Sequence, residues 1–209
     1  MKTAYSICLM MSICIIAGCA KSGGLSSVGN DRSDMIVKNR LKCIMLDLNG
    51  AIGGDGCFPE TLSNLTQFQV VPKEGTNAWL MVPDLDSNYF VCPGTGSIPG
   101  SISNVEEWSD YIYIGNSKNT IPDVPVLISP PENHNGKYGY IVVPGQATMR
   151  LPSSEVRAVI KEPWILATNE TPDNIENVKR DIIVNVPRRL RAYYTNVNNW
   201  MRPKNTINP

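Results

Sequence analysis

His134 is the only histidine in the chain. A single imidazole excludes any metal site that needs several from one chain. It could still serve as a general base, with a carboxylate to orient it and a serine to activate. Asp123 and Asp110 are the carboxylates in question. Its neighbours Asn133, Asn135 and Gly136 instead mark a turn, where the ring bonds local backbone. No catalytic residue is therefore assigned, and the chain is not expected to be an enzyme. Asp84-Leu85-Asp86-Ser87-Asn88 copies the opening of a calcium loop but lacks its glycine and its closing bidentate glutamate. A polar turn is the expectation there. The glycine-proline loop over 92–100 has no Gly-Lys-Ser/Thr, no dinucleotide fingerprint and no Gly-x-Ser-x-Gly. No metal and no cofactor are expected.

The six cysteines divide by position. Lys2 and the short apolar run that follows have the form of a secretory leader, too short for a span of about 20 residues. It ends in Ile16-Ala17-Gly18-Cys19, which resembles the bacterial lipobox, where the cysteine is acylated and becomes the mature N-terminus. Residues 1–18 are thus expected to be a lipoprotein signal peptide. An ordinary signal peptide with a chance cysteine, or an uncleaved anchor, is the alternative. Residues 19–30 are small and polar, as a flexible tether is. Acyl chains on Cys19 would hold the protein to a bilayer. Ala20, not an acid, directly follows Cys19, which in the lipoprotein pattern points to the outer membrane over the inner. Cys43, Cys57 and Cys92 remain. In an oxidising envelope Cys57 and Cys92, both in loops beside prolines, are the pair expected to bridge. Three reduced, buried thiols are the other possibility.

Charge excludes little else. Nineteen basic residues balance nineteen acidic ones, which gives no argument for a nucleic-acid partner. Arg188, Arg189, Arg191, Tyr193, Tyr194, Trp200, Arg202 and Lys204 make the C-terminus basic and aromatic. Such a patch could meet anionic headgroups. Asp173, Glu176 and Asp181 precede it and mute its field, so a solvated face with aromatics packed on the domain is expected.

The element that must position these groups lies within residues 31–59. Val37, Leu41, Ile44, Met45, Leu48 and Ile52 form one apolar stripe at helical spacing. Asp31 or Ser33 can cap its start, and Gly50, Gly53, Gly54 and Gly56 let the chain leave it. Such a helix is not stable in water with its stripe bare. Pro59 with Leu62, Leu65 and Phe68 predicts a second, short helix. Trp79-Leu80-Met81-Val82 reads as a strand. Alternation over 110–115 predicts a half-buried strand, 124–128 another, and 138–143 with 147–151 a hairpin about Pro144-Gly145. Ser153 or Ser154 caps a helix burying Val156, Val159 and Ile160. Thr171-Pro172-Asp173 starts another with Ile175, Val178, Ile182 and Ile183 in step, until Pro187 breaks it.

Several of these stretches together resemble the type II secretion pseudopilins. Arg40-Leu41-Lys42 with the apolar helix, then Gly53-Gly54-Asp55-Gly56 and Phe58-Pro59, is similar to their helix-to-loop segment. Phe90-Val91-Cys92-Pro93 looks like their Phe-x-Cys-Pro, and residues 109–115 like the Ser-Tyr-x-Tyr-x-Gly strand after it. Pro122-Asp123-Val124-Pro125, then His134 and nine residues to Pro144-Gly145, is similar to the group defined by His, nine residues, Asp-Gly. His134 and Gly145 are the motif residues here, with Pro144 in place of the aspartate. There is no prepilin cleavage site and no early glutamate in a mature apolar helix. The resemblance therefore implies the head of a pseudopilin on a lipid anchor, not a filament subunit.

The expectation is an α+β protein. A pseudopilin-like domain over 31–152 has a long N-terminal helix packed on an antiparallel sheet, with a helical C-terminal extension over 153–209. The expected role is contact with a protein partner in the envelope, with secretion machinery implied by the resemblance. A surface module for glycan or another ligand is the alternative. A hydrolase using His134 is the third reading.

Overall fold

The computed structural model describes residues 28–54, 56–67, 86–116 and 123–197. Cys19, Asp55, Phe68, the 79–82 strand, Asp84 and the end from Asn198 lie outside them. The fold is mixed α+β, with four helices and one five-stranded sheet among the described residues.

Helix α1, Val28–Gly50, carries the apolar stripe. Val37, Leu41, Ile44, Met45 and Leu48 are buried along it. The strands are β1 Ile112–Gly115, β2 Leu127–Ser129, β3 Tyr138–Val142, β4 Met149–Pro152 and β5 Ile183–Asn185. Their order is β4-β3-β2-β1-β5, and every pairing is antiparallel. The first four make a meander. The expected hairpin about Pro144-Gly145 pairs Ile141 with Met149 and Tyr138 with Pro152.

Alternation sends successive side chains to opposite faces of the sheet. Tyr111, Tyr113, Leu127, Tyr140 and Val142 join α1 in one core. Ile112, Ile114, Ile128, Ile141 and Val143 join a second. That second core is closed by α3, Ser153–Lys161, and α4, Pro172–Asp181, together with Leu190, Tyr194 and Val197. Helix α2, Val105–Trp108, is one short turn before β1.

Three expectations need correction. The strand over 110–115 is buried on both faces, not one, because the C-terminal segment covers the far side. That segment is not a wholly helical extension. α4 stops at Asp181, and Ile183, which keeps helical step with Ile175, enters β5 beside β1. A run of β-branched residues next to an open strand edge favours the ladder over another helical turn. Finally, the short helix expected after Pro59 forms, but it winds as a 3-10 helix, Leu62–Gln67, with Leu62 and Leu65 buried.

Two close approaches fix the layers. A Cβ on Gly115 would stand 1.9 Å from the Glu60 carbonyl oxygen, so only glycine lets the 59–60 backbone lie on β1. On Gly139 it would meet the Ser129 carbonyl oxygen at 2.5 Å.

Candidate functional site

Asp110, the residue leading into β1, is wholly buried. Its Oδ2 accepts from the Cys92 backbone N–H at 2.7 Å and from the Thr95 hydroxyl at 2.5 Å. Its Oδ1 accepts from Ser97 at 2.7 Å and from the Arg189 guanidinium. A buried carboxylate is tolerable only when paired and hydrogen-bonded in this way. Arg189 also donates to the Asn133 side-chain oxygen. Since arginine can only donate, the amide orientation is fixed. The Asn133 Nδ2 then donates to the Asp110 carbonyl at 2.7 Å and to Ser129 Oγ at 3.1 Å.

Ser129 Oγ stands 2.9 Å from His134 Nε2. Ser129 Oγ also accepts from Asn133, and the direction of its bond to the ring follows the imidazole tautomer. Burial lowers the His134 pKa from 6.5 to about 4; Asp34 pulls it back up, and Arg150 adds to the fall. The ring is thus neutral at ordinary pH. The spacing is that of a base and a nucleophile. Ser129 has no exposed surface, however, and among the described residues no carboxylate is seen bonded to the ring. Asp123 bonds Gln146 at 2.6 Å, beside the β3–β4 turn, and Asp110 is occupied as described. The geometry is that of a structural network.

The motif residues separate. His134 ends a 3-10 turn, Pro131–His134, before β3, while Gly145 sits in the turn after it. The expected Cys57–Cys92 bridge is not formed, since Cys92 carries a free thiol. Burial, and next Asp110, push that thiol up to about 12. Cys92 faces the Asp110 network, and Cys57 lies in the turn after α1, its carbonyl bonded to the Gly53 N–H at 3.0 Å. Asp86, from the calcium-like stretch, caps a 3-10 turn by accepting from the Asn88 N–H at 2.9 Å. Among the described residues, no group of three or more His, Cys, Asp or Glu is arranged to hold a metal. No described helix is long and apolar enough to cross a membrane.

Two arginines of the basic C-terminal stretch, Arg189 and Arg191, pair within the domain. Arg189 meets Asp110, Arg191 meets Glu107 at 2.9 Å, and the Tyr194 hydroxyl donates to Glu132 at 2.6 Å. Arg188 and Tyr193 remain exposed.

Sequence reasoning missed two surfaces. One is a cleft of about 690 Å³ beside His134, whose lining includes Lys137, Tyr138 and Arg150. Asp34 organises its edge, accepting from the Tyr138 hydroxyl at 2.7 Å and from Arg150 at 3.1 Å. The other is the outer side of α1. Met35 and Leu46 are 58% and 60% exposed. They are about three turns apart on one line, with Lys38, Asn39 and Lys42 between them. A groove of about 450 Å³ runs beside this line against Val142 and Thr148 of the β3–β4 hairpin. The 3.6-residue spacing of Met35, Lys42 and Leu46 was present in the sequence but hidden by the stronger inner stripe.

No protein-family model, curated protein or solved structure matches the chain.

Proposed function

We propose that the protein is a non-enzymatic envelope lipoprotein, acylated at Cys19, that presents a pseudopilin-like head to a protein partner, with secretion machinery as the first partner to test. The observation that carries the reading is the outer face of α1. Two large apolar side chains, Met35 and Leu46, stay in water on one line with two lysines between them. Exposed apolar groups that form a line beside a groove mark contact surfaces. The lysines suit a partner face with acidic residues.

The segments that carry the pseudopilin resemblance also bond to one another, which supports the same reading. Arg40 on α1 donates to the Val91 carbonyl, and the Cys92 N–H donates to Asp110. The Asp110 N–H in turn donates to the Phe90 carbonyl at 2.9 Å. A long helix lying across an antiparallel meander is the arrangement the resemblance implies.

The test is affinity purification from the native envelope with wild type and Leu46→Glu. The reading expects a mature mass that begins at Cys19 and carries acyl groups. It also expects a secretion component recovered with wild type and lost with the variant. An unacylated mature chain, or identical recovery with both proteins, contradicts it.

A further inference from the structure

We infer that the cleft beside His134 is a binding site for a small hydroxylated oxyanion, a sugar-sized molecule bearing a carboxylate or a phosphate. The site is separate from the Met35–Leu46 line and does not depend on it. Its volume of about 690 Å³ exceeds that of a bare anion and falls in the usual range for small-molecule sites, roughly 300–1,000 Å³.

Arg150 is the recognition group. Its guanidinium lies over the Tyr138 ring, 3.7 Å from the centroid, and one nitrogen bonds Asp34. Tyr138 is itself stacked on His134 at 4.8 Å. The stack and the carboxylate hold the planar fork in place, while the side chain is 51% exposed. A held, accessible guanidinium edge suits two oxygens of a carboxylate or phosphate. Both Asp34 oxygens are engaged, by Tyr138 and Arg150. Lys137 lines the same cleft and is exposed. With Asp34 counted, the lining has one excess positive charge.

The remaining wall selects for hydroxyl groups. Asn135, at a left-handed φ of 54°, lines the cleft together with Ser33 and Gly94. His134 is neutral and supplies a hydrogen-bonding nitrogen, not a charge. His134 and the Arg150 guanidinium both lie against the Tyr138 ring, which favours a polar ligand over an apolar one.

The test uses the full chain in detergent and isothermal titration with glucuronate, glucose 6-phosphate and glucose. Saturable binding of either acid is expected, with glucose weaker by about tenfold or more. Tighter binding of glucuronate identifies a carboxylate ligand, and tighter binding of glucose 6-phosphate a phosphate ligand. Lys137→Gln, an exposed position, should weaken the acid by about tenfold; Arg150→Gln should weaken it further, and Leu46→Glu should leave it unchanged. Equal affinity for glucose, an unaltered affinity in Lys137→Gln, or no saturable binding of either acid at millimolar concentration overturns the inference.

Discussion

Asp110 gathers donors from two distant stretches, Cys92, Thr95 and Ser97 of one loop and Arg189 near the C-terminus. Removing it would orphan the Cys92 N–H and two hydroxyls in a water-poor site. Asp110→Ala is expected to cost about 3 kcal/mol in urea unfolding. His134 predicts a pH dependence. Its folded pKa of about 4 lies below the ordinary 6.5, so the unfolded chain binds the proton more readily. The stabilisation is complete above pH 6.5 and declines as pH falls toward 4, by up to about 3 kcal/mol. Unfolding at pH 7 and pH 4.5 should show this loss in wild type and much less of it in His134→Gln. Cys92, buried and with its thiol pushed up to about 12, should resist maleimide at neutral pH until the chain unfolds; mass spectrometry reads the outcome. These roles were only partly legible. The turn at His134 reads from its asparagine and glycine neighbours, but the ring bonds the Ser129 hydroxyl and not the local backbone expected there. The pairing of Asp110 with Arg189 spans 79 positions, and no local pattern encodes such a contact.

At the scale of elements, α1 and the meander were legible because both rest on strong periodicities. Val37, Leu41, Ile44 and Leu48 repeat at helical spacing, and Tyr111 to Ile114 alternate as a strand does. Leu41→Ala, at a fully buried position, is expected to destabilise by about 3 kcal/mol. What alternation could not reveal is that both sides of β1 are dry. Tyrosine on one side and isoleucine on the other read as polar against apolar, yet Tyr111 and Tyr113 are buried under α1. The end of α4 was illegible for another reason. Ile182 and Ile183 fit a helix and a strand equally well, and the free edge of β1 decides between them. Gly115 joins these elements to the loop after α1. Gly115→Ala would force its Cβ into the Glu60 carbonyl and is expected to cost about 3 kcal/mol, seen as a lowered melting temperature.

For the whole molecule, the sheet has both faces covered, by α1 on one side and by α3, α4 and the residues after β5 on the other. The described part of the C-terminal segment therefore packs on the same sheet, and Arg189 and Arg191 serve internal pairs at Asp110 and Glu107. The outer line of α1 is the surface assigned to a protein partner, because Met35 and Leu46 align there in water. Leu46→Glu should change stability by no more than about 0.5 kcal/mol, because the side chain is already in water. The most direct measurement places a photo-crosslinking side chain at position 46, and separately at exposed Ile165 on the opposite layer, in the full chain in its native membrane. The account predicts one discrete adduct from position 46, none from 165, and loss of the adduct when Lys42→Glu is added. No adduct at 46, or the same adduct from both positions, would contradict it.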